Sequence, residues 1–412
     1  MSDRFYIHGF ANGLTLLCEK MPGMQSAAMT LLVPAGSDSD PDGKSGMATI
    51  VSDLVLRGAG SRDSRQLTDH LDSLGLQRSN SVSVHHTRLS CAAVAENVMA
   101  GIDTYADIAR RPQLPESGFE AARDLALQSL DSVEDDPRQK LMIRLKEIAL
   151  PYPLNRNSMG ERRDVQSMTL EQAKASFTER FQPAGALLSF AGNVDFQRVH
   201  DAAEKAFGDW QPRPTVTLPV RPATEKRFHE SQKSEQTHIG LAWDSIPETH
   251  PEYYAVRLAM ECLGGGMSSR LFTEVREKRG LCYSVWAGYC SLKGMGCILG
   301  YAGTSNDRAQ ATLDCFLSEL DRLSSGVAAA ELERAKTGLK ASTIMQGEST
   351  SARSGAIAYD QFMRGRIRTL EEIKSAIDAV SVDQVNDYLK ANPPADFTIV
   401  TVGPKELKTP GR

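Results

Sequence analysis

A basic excess is missing from this sequence: 47 Lys and Arg stand against 52 Asp and Glu, a formal net charge of -5 with a pI near 6.0. Surfaces that hold nucleic acid need the opposite balance, so polyanions are not the expected partners. No stretch approaches the roughly 18 consecutive apolar residues of a membrane-spanning helix. The opening MSDRFYIHGFANG has neither the basic start nor the apolar run of a secretory signal. Cysteine numbers seven, an odd count without a C-x-x-C pair, which fits reduced thiols better than a disulfide framework. A soluble, unexported, cytoplasmic chain is the expectation. A G-x-S-x-G nucleophile elbow is also missing. Gly43-Lys44-Ser45 looks like the end of a phosphate loop, but Asp38 stands where its first glycine belongs.

What is present is a composition of ordinary globular kind, 41% hydrophobic and 24% charged, over 412 residues. That length exceeds one ordinary core, so two or more domains are expected. Short β-prone runs at 13–19 and 27–33 flank the turn signal Met21-Pro22-Gly23 and read as a hairpin. After a polar loop at 37–43, Met47, Ile50, Val51, Leu54 and Val55 recur at helical spacing up to Gly58. A second helix, about 64–74, stops at Gly75. Residues 76–94 alternate loosely, as strands with one wet face do. A long helix is expected at about 116–133, and Pro137 marks the break before another. His70, His85 and His86 would bind metal only if they converged, and adjacent strand residues such as 85 and 86 point to opposite faces.

The strongest internal signal is a duplication. TLEQAKASFTERFQPAGALLSFAGN from Thr169 matches SVDQVNDYLKANPPADFTIVTVGP from Ser381. Each copy opens with a capping box, Thr169/Gln172 or Ser381/Gln384, turns at Pro183 or Pro393, and closes with a strand and Gly192 or Gly403. The chain therefore reads as two similar halves, 1–210 and 228–412, joined by the proline-rich linker 211–227. Strands and helices that do not strictly alternate favour an α+β fold over a doubly wound sheet.

In the second half, the stretch from Glu261 to Tyr283 concentrates unusual features. A helix with the stripe Ala255, Leu258, Ala259 and Cys262 runs into Gly264-Gly265-Gly266, residues free to take positive φ and stop it. Ser268 or Ser269 is placed to cap a second helix, which Gly280 ends after the basic turn of Arg276, Lys278 and Arg279. A glycine platform, an arginine near a helix end and Tyr283 could together grip the carbonyls of an extended peptide. A solvated helix end and a core tyrosine are the plainer reading of the same residues.

The segment 36–60, GSDSDPDGKSGMATIVSDLVLRGAG, resembles the opening of the pitrilysin-type zinc peptidases, relatives of mitochondrial processing peptidase. The resemblance extends to Gly192-Asn193-Val194-Asp195, the Ser268–Phe272 and Arg276–Tyr283 runs and 331–336. It implies two homologous α/β-roll halves, each an antiparallel sheet with helices packed on one face, forming a clam-shell. It also implies an inverted H-x-x-E-H motif, two histidines one helical turn apart for zinc with a glutamate general base between them. Thr49, Ser52 and Asp53 occupy those positions, and Ser129 occupies that of the glutamate that supplies the third ligand. Hydroxyls are poor zinc ligands and no base near neutral pH, so no catalytic metal is expected in this chain. The family's second half contributes an arginine and a tyrosine to the substrate, and Arg276 and Tyr283 match that pair.

The expectation that follows is a heterodimer. A homologous partner supplies H-x-x-E-H and its zinc, while this chain supplies Arg276 and Tyr283 in trans for binding peptides or unfolded segments and stabilising the oxyanion. Substrate would add as a strand to a sheet edge; 77–84 sits where the family has that edge, but with no metal beside it an ordinary edge strand is the favoured reading, and Gly264, Gly265 and Gly266 are candidate substrate-binding residues that would equally serve only to end a helix. The alternative is a structural core-type subunit with no part in proteolysis, against which retention of Arg276 and Tyr283 argues mildly. An independent enzyme built on Asp53 has little support.

Overall fold

The computed structural model describes residues 4–214 and 218–409, so 215–217 within the expected linker lie outside the described residues. It divides into two compact units. The first takes in the chain up to Ser132, Tyr152–Arg221 and Gln346–Ile367; the second takes in Val133–Pro151, Pro222–Met345 and the chain from Arg368.

Eight strands belong to the first unit: β1 (Phe5–Gly9), β2 (Thr15–Lys20), β3 (Ser26–Val33), β4 (Gly58–Ala59), β5 (Arg62–Asp63), β6 (Gln77–Val82), β7 (Thr87–Val94) and β8 (Leu187–Gly192). Six of them form one sheet in the order β1-β2-β8-β3-β7-β6, and β4 and β5 pair by themselves. The expected hairpin across Met21-Pro22-Gly23 is not formed. The chain reverses there, with Gly23 at φ 86, but β8 slots between β2 and β3, parallel to the first and antiparallel to the second. A turn signal specifies reversal only. Which strand fills the gap is set by burial, and every residue of β8 is buried, with Leu188 and Phe190 at 0% exposure.

Alternation along these strands serves two faces. Leu16, Cys18, Leu31, Leu188 and Phe190 join the main core with Ile50, Val51 and Leu54 of the Met47–Leu54 helix and Val98 and Ile102 of the Ala95–Arg110 helix. Each fully buried leucine of this kind stabilises by about 2 kcal/mol. The other face is covered by one helix from late in the chain, Thr350–Arg364, whose Ile357 and Ala358 pack on Leu17 and Leu187. Polar groups set its register. Arg353 Nε donates to Glu19 Oε2 at 2.7 Å, Arg4 pairs with the same carboxylate at 2.8 Å, and Ser189 Oγ donates to the Ser354 carbonyl at 2.8 Å.

In the second unit β9 (Arg227–Ser231), β10 (Gln236–Ser245), β11 (Ser284–Leu292), β12 (Met295–Ser305) and β13 (Thr398–Gly403) form a sheet in the order β11-β12-β10-β13-β9. Only β13 and β9 run parallel. Its core joins Ile239, Leu241 and Ile298 to Leu258 and Leu263 of the Tyr253–Gly264 helix and to Phe316 and Leu320 of the Ala309–Ser324 helix. The second face again takes a helix from elsewhere in the chain, Pro137–Ala149, capped by Asp136. Gly240 admits it: a Cβ there would meet Leu141 and Leu145 at 3.1 and 3.2 Å.

The duplication is visible in both units. Gln172 N–H donates to Thr169 Oγ1 at 3.3 Å and Gln384 N–H to Ser381 Oγ at 3.1 Å, each reciprocated by the glutamine side chain. The helices so capped lead into β8 and β13, both buried throughout. The fold is α+β, with each largely antiparallel sheet carrying one parallel pair.

Candidate functional site

The Met47–Leu54 helix carries the positions at which the family resemblance places metal ligands. Its start is not capped by a neighbouring side chain. Instead Asp40, seven residues before Met47 and 0% exposed, accepts from the Gly46 and Ala48 N–H groups, both at 2.8 Å. Burial raises this carboxyl to about 7, against the pull of the two amides and of Arg156 and Arg180. Gly46 sits at φ 96 with the Met159 carbonyl only 2.9 Å from where a Cβ would stand, so the lead-in 40–46 is a structural device for launching this helix.

Each of the positions so implied engages a protein group. Thr49 Oγ1 donates to the Ser158 carbonyl, and Ser52, 2% exposed, accepts from Asn80 Nδ2 at 3.3 Å. Asp53 holds Arg57 through both Nε at 2.9 Å and Nη2 at 2.8 Å. Ser129 Oγ turns back to the Leu125 carbonyl of its own helix at 2.9 Å. Among the described residues no group of three His, Cys, Asp or Glu is placed to hold a metal ion. Hydroxyls engaged by backbone carbonyls or a side-chain amide and a carboxylate paired with an arginine do not fit zinc. Beside them lies a cavity of about 460 Å³ lined by Asp53, Arg57, Thr68, Arg78, Asn80 and Tyr105. β6 borders it as the sheet's edge strand, with its first five residues exposed. The open edge leaves backbone donors and acceptors for a further strand. His85 and His86 stay apart from such chemistry: the His85 Nδ1 lies 2.7 Å from Asp38, and the two rings are 6.4 Å apart.

In the second unit the geometry around Gly264–Gly266 departs from expectation. None of the three takes positive φ; Gly264 ends the helix and Gly265 stays right-handed at φ -80. Gly264 is needed for a different reason, since a Cβ there would stand 2.3 Å from the Ala287 nitrogen of β11. Gly266 faces open space. Together with Ser269, Glu331 and Arg334, Gly265 and Gly266 line a small cavity of about 120 Å³. The expected serine cap is also not made: Ser269 Oγ is buried without a partner, and Arg270 instead locks onto Glu331 through two hydrogen bonds of 2.7 and 2.8 Å.

Residues Phe272–Lys278 form a π-helical turn, which nothing in the spacing announced. It closes with the Leu281 N–H on the Val275 carbonyl at 2.9 Å, and Gly280 at φ 58 then turns the chain into β11 as expected. The widened turn brings Phe272 under the Arg276 guanidinium at 4.7 Å while the Tyr283 ring lies on it at 5.1 Å. Arg276 is thus held by two aromatic rings. Tyr283 is 80% exposed, its backbone anchored by a 3.1 Å hydrogen bond to Gly303. A phenol so presented is available as a hydrogen-bond donor. The core reading of Tyr283 does not hold.

Residues 15–162 match the family model described as Insulinase (Peptidase family M16), and residues 167–339 match the Peptidase M16 inactive domain. The chain is 24% identical over 401 residues to the uncharacterized zinc protease YmxG of Bacillus subtilis, covering 95% of this chain and 97% of that one. It is 26% identical over 412 residues to an uncharacterized zinc protease of Rickettsia felis, covering 99% and 100%. A crystal structure of a peptidase M16 inactive domain from Pseudomonas fluorescens superposes with a TM-score of 0.89 at 21% identity, covering 98% and 100%. Two models of one family placed end to end, relatives matched along nearly their whole length, and a shared fold lead to one conclusion: this chain belongs to peptidase family M16.

Proposed function

We propose that this chain is the non-zinc-binding subunit of a heterodimeric zinc metalloendopeptidase acting in the cytoplasm. A homologous chain with an intact H-x-x-E-H supplies zinc and its water. Arg276 and Tyr283 of this chain act in trans, the first holding a substrate carbonyl and the second donating to the oxyanion of the tetrahedral intermediate. Peptides or unfolded segments are the substrates, entering as strands.

The observation that carries this reading is an asymmetry of commitment. Thr49, Ser52, Asp53 and Ser129 are bound up in structural hydrogen bonds and an ion pair, while Tyr283 projects 80% exposed beside a clamped arginine. The relatives from Bacillus subtilis and Rickettsia felis are called uncharacterized zinc proteases, which supports a peptidase setting.

The test mixes the purified chain with a homologous chain from the same genome that retains H-x-x-E-H. The expected result is peptide hydrolysis by the mixture only, with zinc found in the partner. Losing an oriented oxyanion donor costs about 3 kcal/mol, so Tyr283→Phe should lower kcat by roughly 100-fold with zinc content unchanged. Full activity in both Arg276→Ala and Tyr283→Phe complexes would refute the catalytic role and leave a structural core-type subunit.

A further inference from the structure

The hairpin β11–β12 holds two cysteines that the peptidase reading does not use. Cys290 and Cys297 face each other directly in the ladder, three residues on either side of the Lys293-Gly294 turn. Directly opposed residues of antiparallel strands have Cα atoms about 4.5 or about 5.5 Å apart, and both spacings fall in the range a disulfide spans. Opposed in the ladder, the two thiols act on each other's proton affinity. Cys297 lies on the sheet face away from Ile298 and Ala302, the face covered by the Pro137–Ala149 helix. Lys146 of that helix lends positive potential to both sulfurs.

Access differs between the two. Cys290 is on the edge strand and partly exposed, while Cys18, Cys91, Cys262, Cys282, Cys297 and Cys315 are all buried. The interaction with Cys297, helped by the charge of Lys146, lowers the Cys290 thiol below its ordinary range, whereas the interaction with Cys290 and then burial push that of Cys297 up. One sulfur is suited to attack and the other to resolve.

We propose that Cys290 and Cys297 form a redox-active dithiol that closes to a cross-strand disulfide by exchange with a low-molecular-weight disulfide. The Cys290 thiolate attacks one sulfur of that disulfide; a new S–S bond forms, and the first small thiolate leaves with the electron pair and takes up the proton. Cys297 Sγ then attacks Cys290 Sγ, giving its proton to the second small thiolate as it departs. Two protein thiols are oxidised and one small disulfide is reduced to two thiols. The inference is independent of the trans-acting peptidase role.

The test incubates the purified full chain with oxidised glutathione, then alkylates it under denaturing conditions. The expected result is a mass loss of two hydrogens and two fewer alkylated positions among the seven cysteines. Cleavage after Lys293 places the two cysteines on separate peptides, so the bond is read as a crosslinked pair that dithiothreitol releases. Cys297→Ala, or Cys297→Ser if alanine impairs folding, should stop at a glutathionyl group on Cys290. Cys290→Ser should gain neither adduct nor crosslink. Retention of all seven thiols, a crosslink between other cysteines, or an unmodified Cys290 in a folded Cys297 variant would overturn the proposal.

Discussion

Arg353→Met tests why the Thr350–Arg364 helix belongs to the first unit. Glu19 is 0% exposed and the Arg353 side chain 5%, and their 2.7 Å bond joins sheet to helix. Removing one member of a buried pair typically costs 3–5 kcal/mol because the other charge is left uncompensated. Arg4, 33% exposed, remains on Glu19 Oε1 at 2.8 Å, which places the expected loss near the low end, about 3 kcal/mol. With a urea m-value of about 2 kcal/mol/M, the midpoint should fall by about 1.5 M. Trp210 lies in the first unit and Trp243 and Trp286 in the second, so tryptophan fluorescence in a Trp243→Phe/Trp286→Phe background reports the relevant unit alone. The double variant Glu19→Gln/Arg353→Met leaves no buried charge and should recover most of the loss. A midpoint shift below about 0.5 M, or a double variant no more stable than Arg353→Met, would refute the reasoning.

Other substitutions reach the remaining features. Gly264→Ala should destabilise the second unit by about 1–3 kcal/mol because β11 backbone occupies the space, whereas Gly266→Ala, with nothing within 4 Å, should leave the thermal midpoint unchanged; the reverse order would contradict the packing argument. Burial lowers the His238 imidazole below its ordinary pKa, and its Nδ1 lies 2.8 Å from the Tyr301 hydroxyl. The folded state therefore favours the neutral ring: the stabilising contribution is present above about 6.5 and lost as the pH falls. Denaturant midpoints of wild type and His238→Gln should diverge least at low pH, and a constant difference from pH 5 to 7.5 would count against it. Thr49→His, Ser52→Glu, Asp53→His and Ser129→Glu combined should confer tight zinc binding measured by elemental analysis, and a metal-free quadruple variant that remains folded would show that these are not the ligand positions.

Patterns local to the chain were legible in the sequence. The capping boxes at Thr169 and Ser381, the Met47–Leu54 helix, the ends at Gly75 and Gly280 and the duplicated closing strands all follow from residues close to one another along the backbone. The poor fit of Thr49, Ser52 and Ser129 to zinc was legible too, since ligand chemistry is a property of residue type, whereas their standing at metal positions is what the family resemblance implies. Insertion of β8 between β2 and β3 was not, because Met21-Pro22-Gly23 encodes a reversal and not a neighbour. Nor was the exchange by which each sheet takes a helix from the other half of the chain, decided at Glu19–Arg353 and at Gly240 by partners hundreds or scores of positions away. Gly264 shows the difference at one residue: its sequence suggested a left-handed stop, and the approach of Ala287 made it a packing necessity. The π-helical turn that stacks Phe272, Arg276 and Tyr283, and the meeting of Cys290 with Cys297, likewise depended on the three-dimensional chain. Composition and spacing determined which residues could do chemistry; contacts between distant segments decided which of them were free to do it.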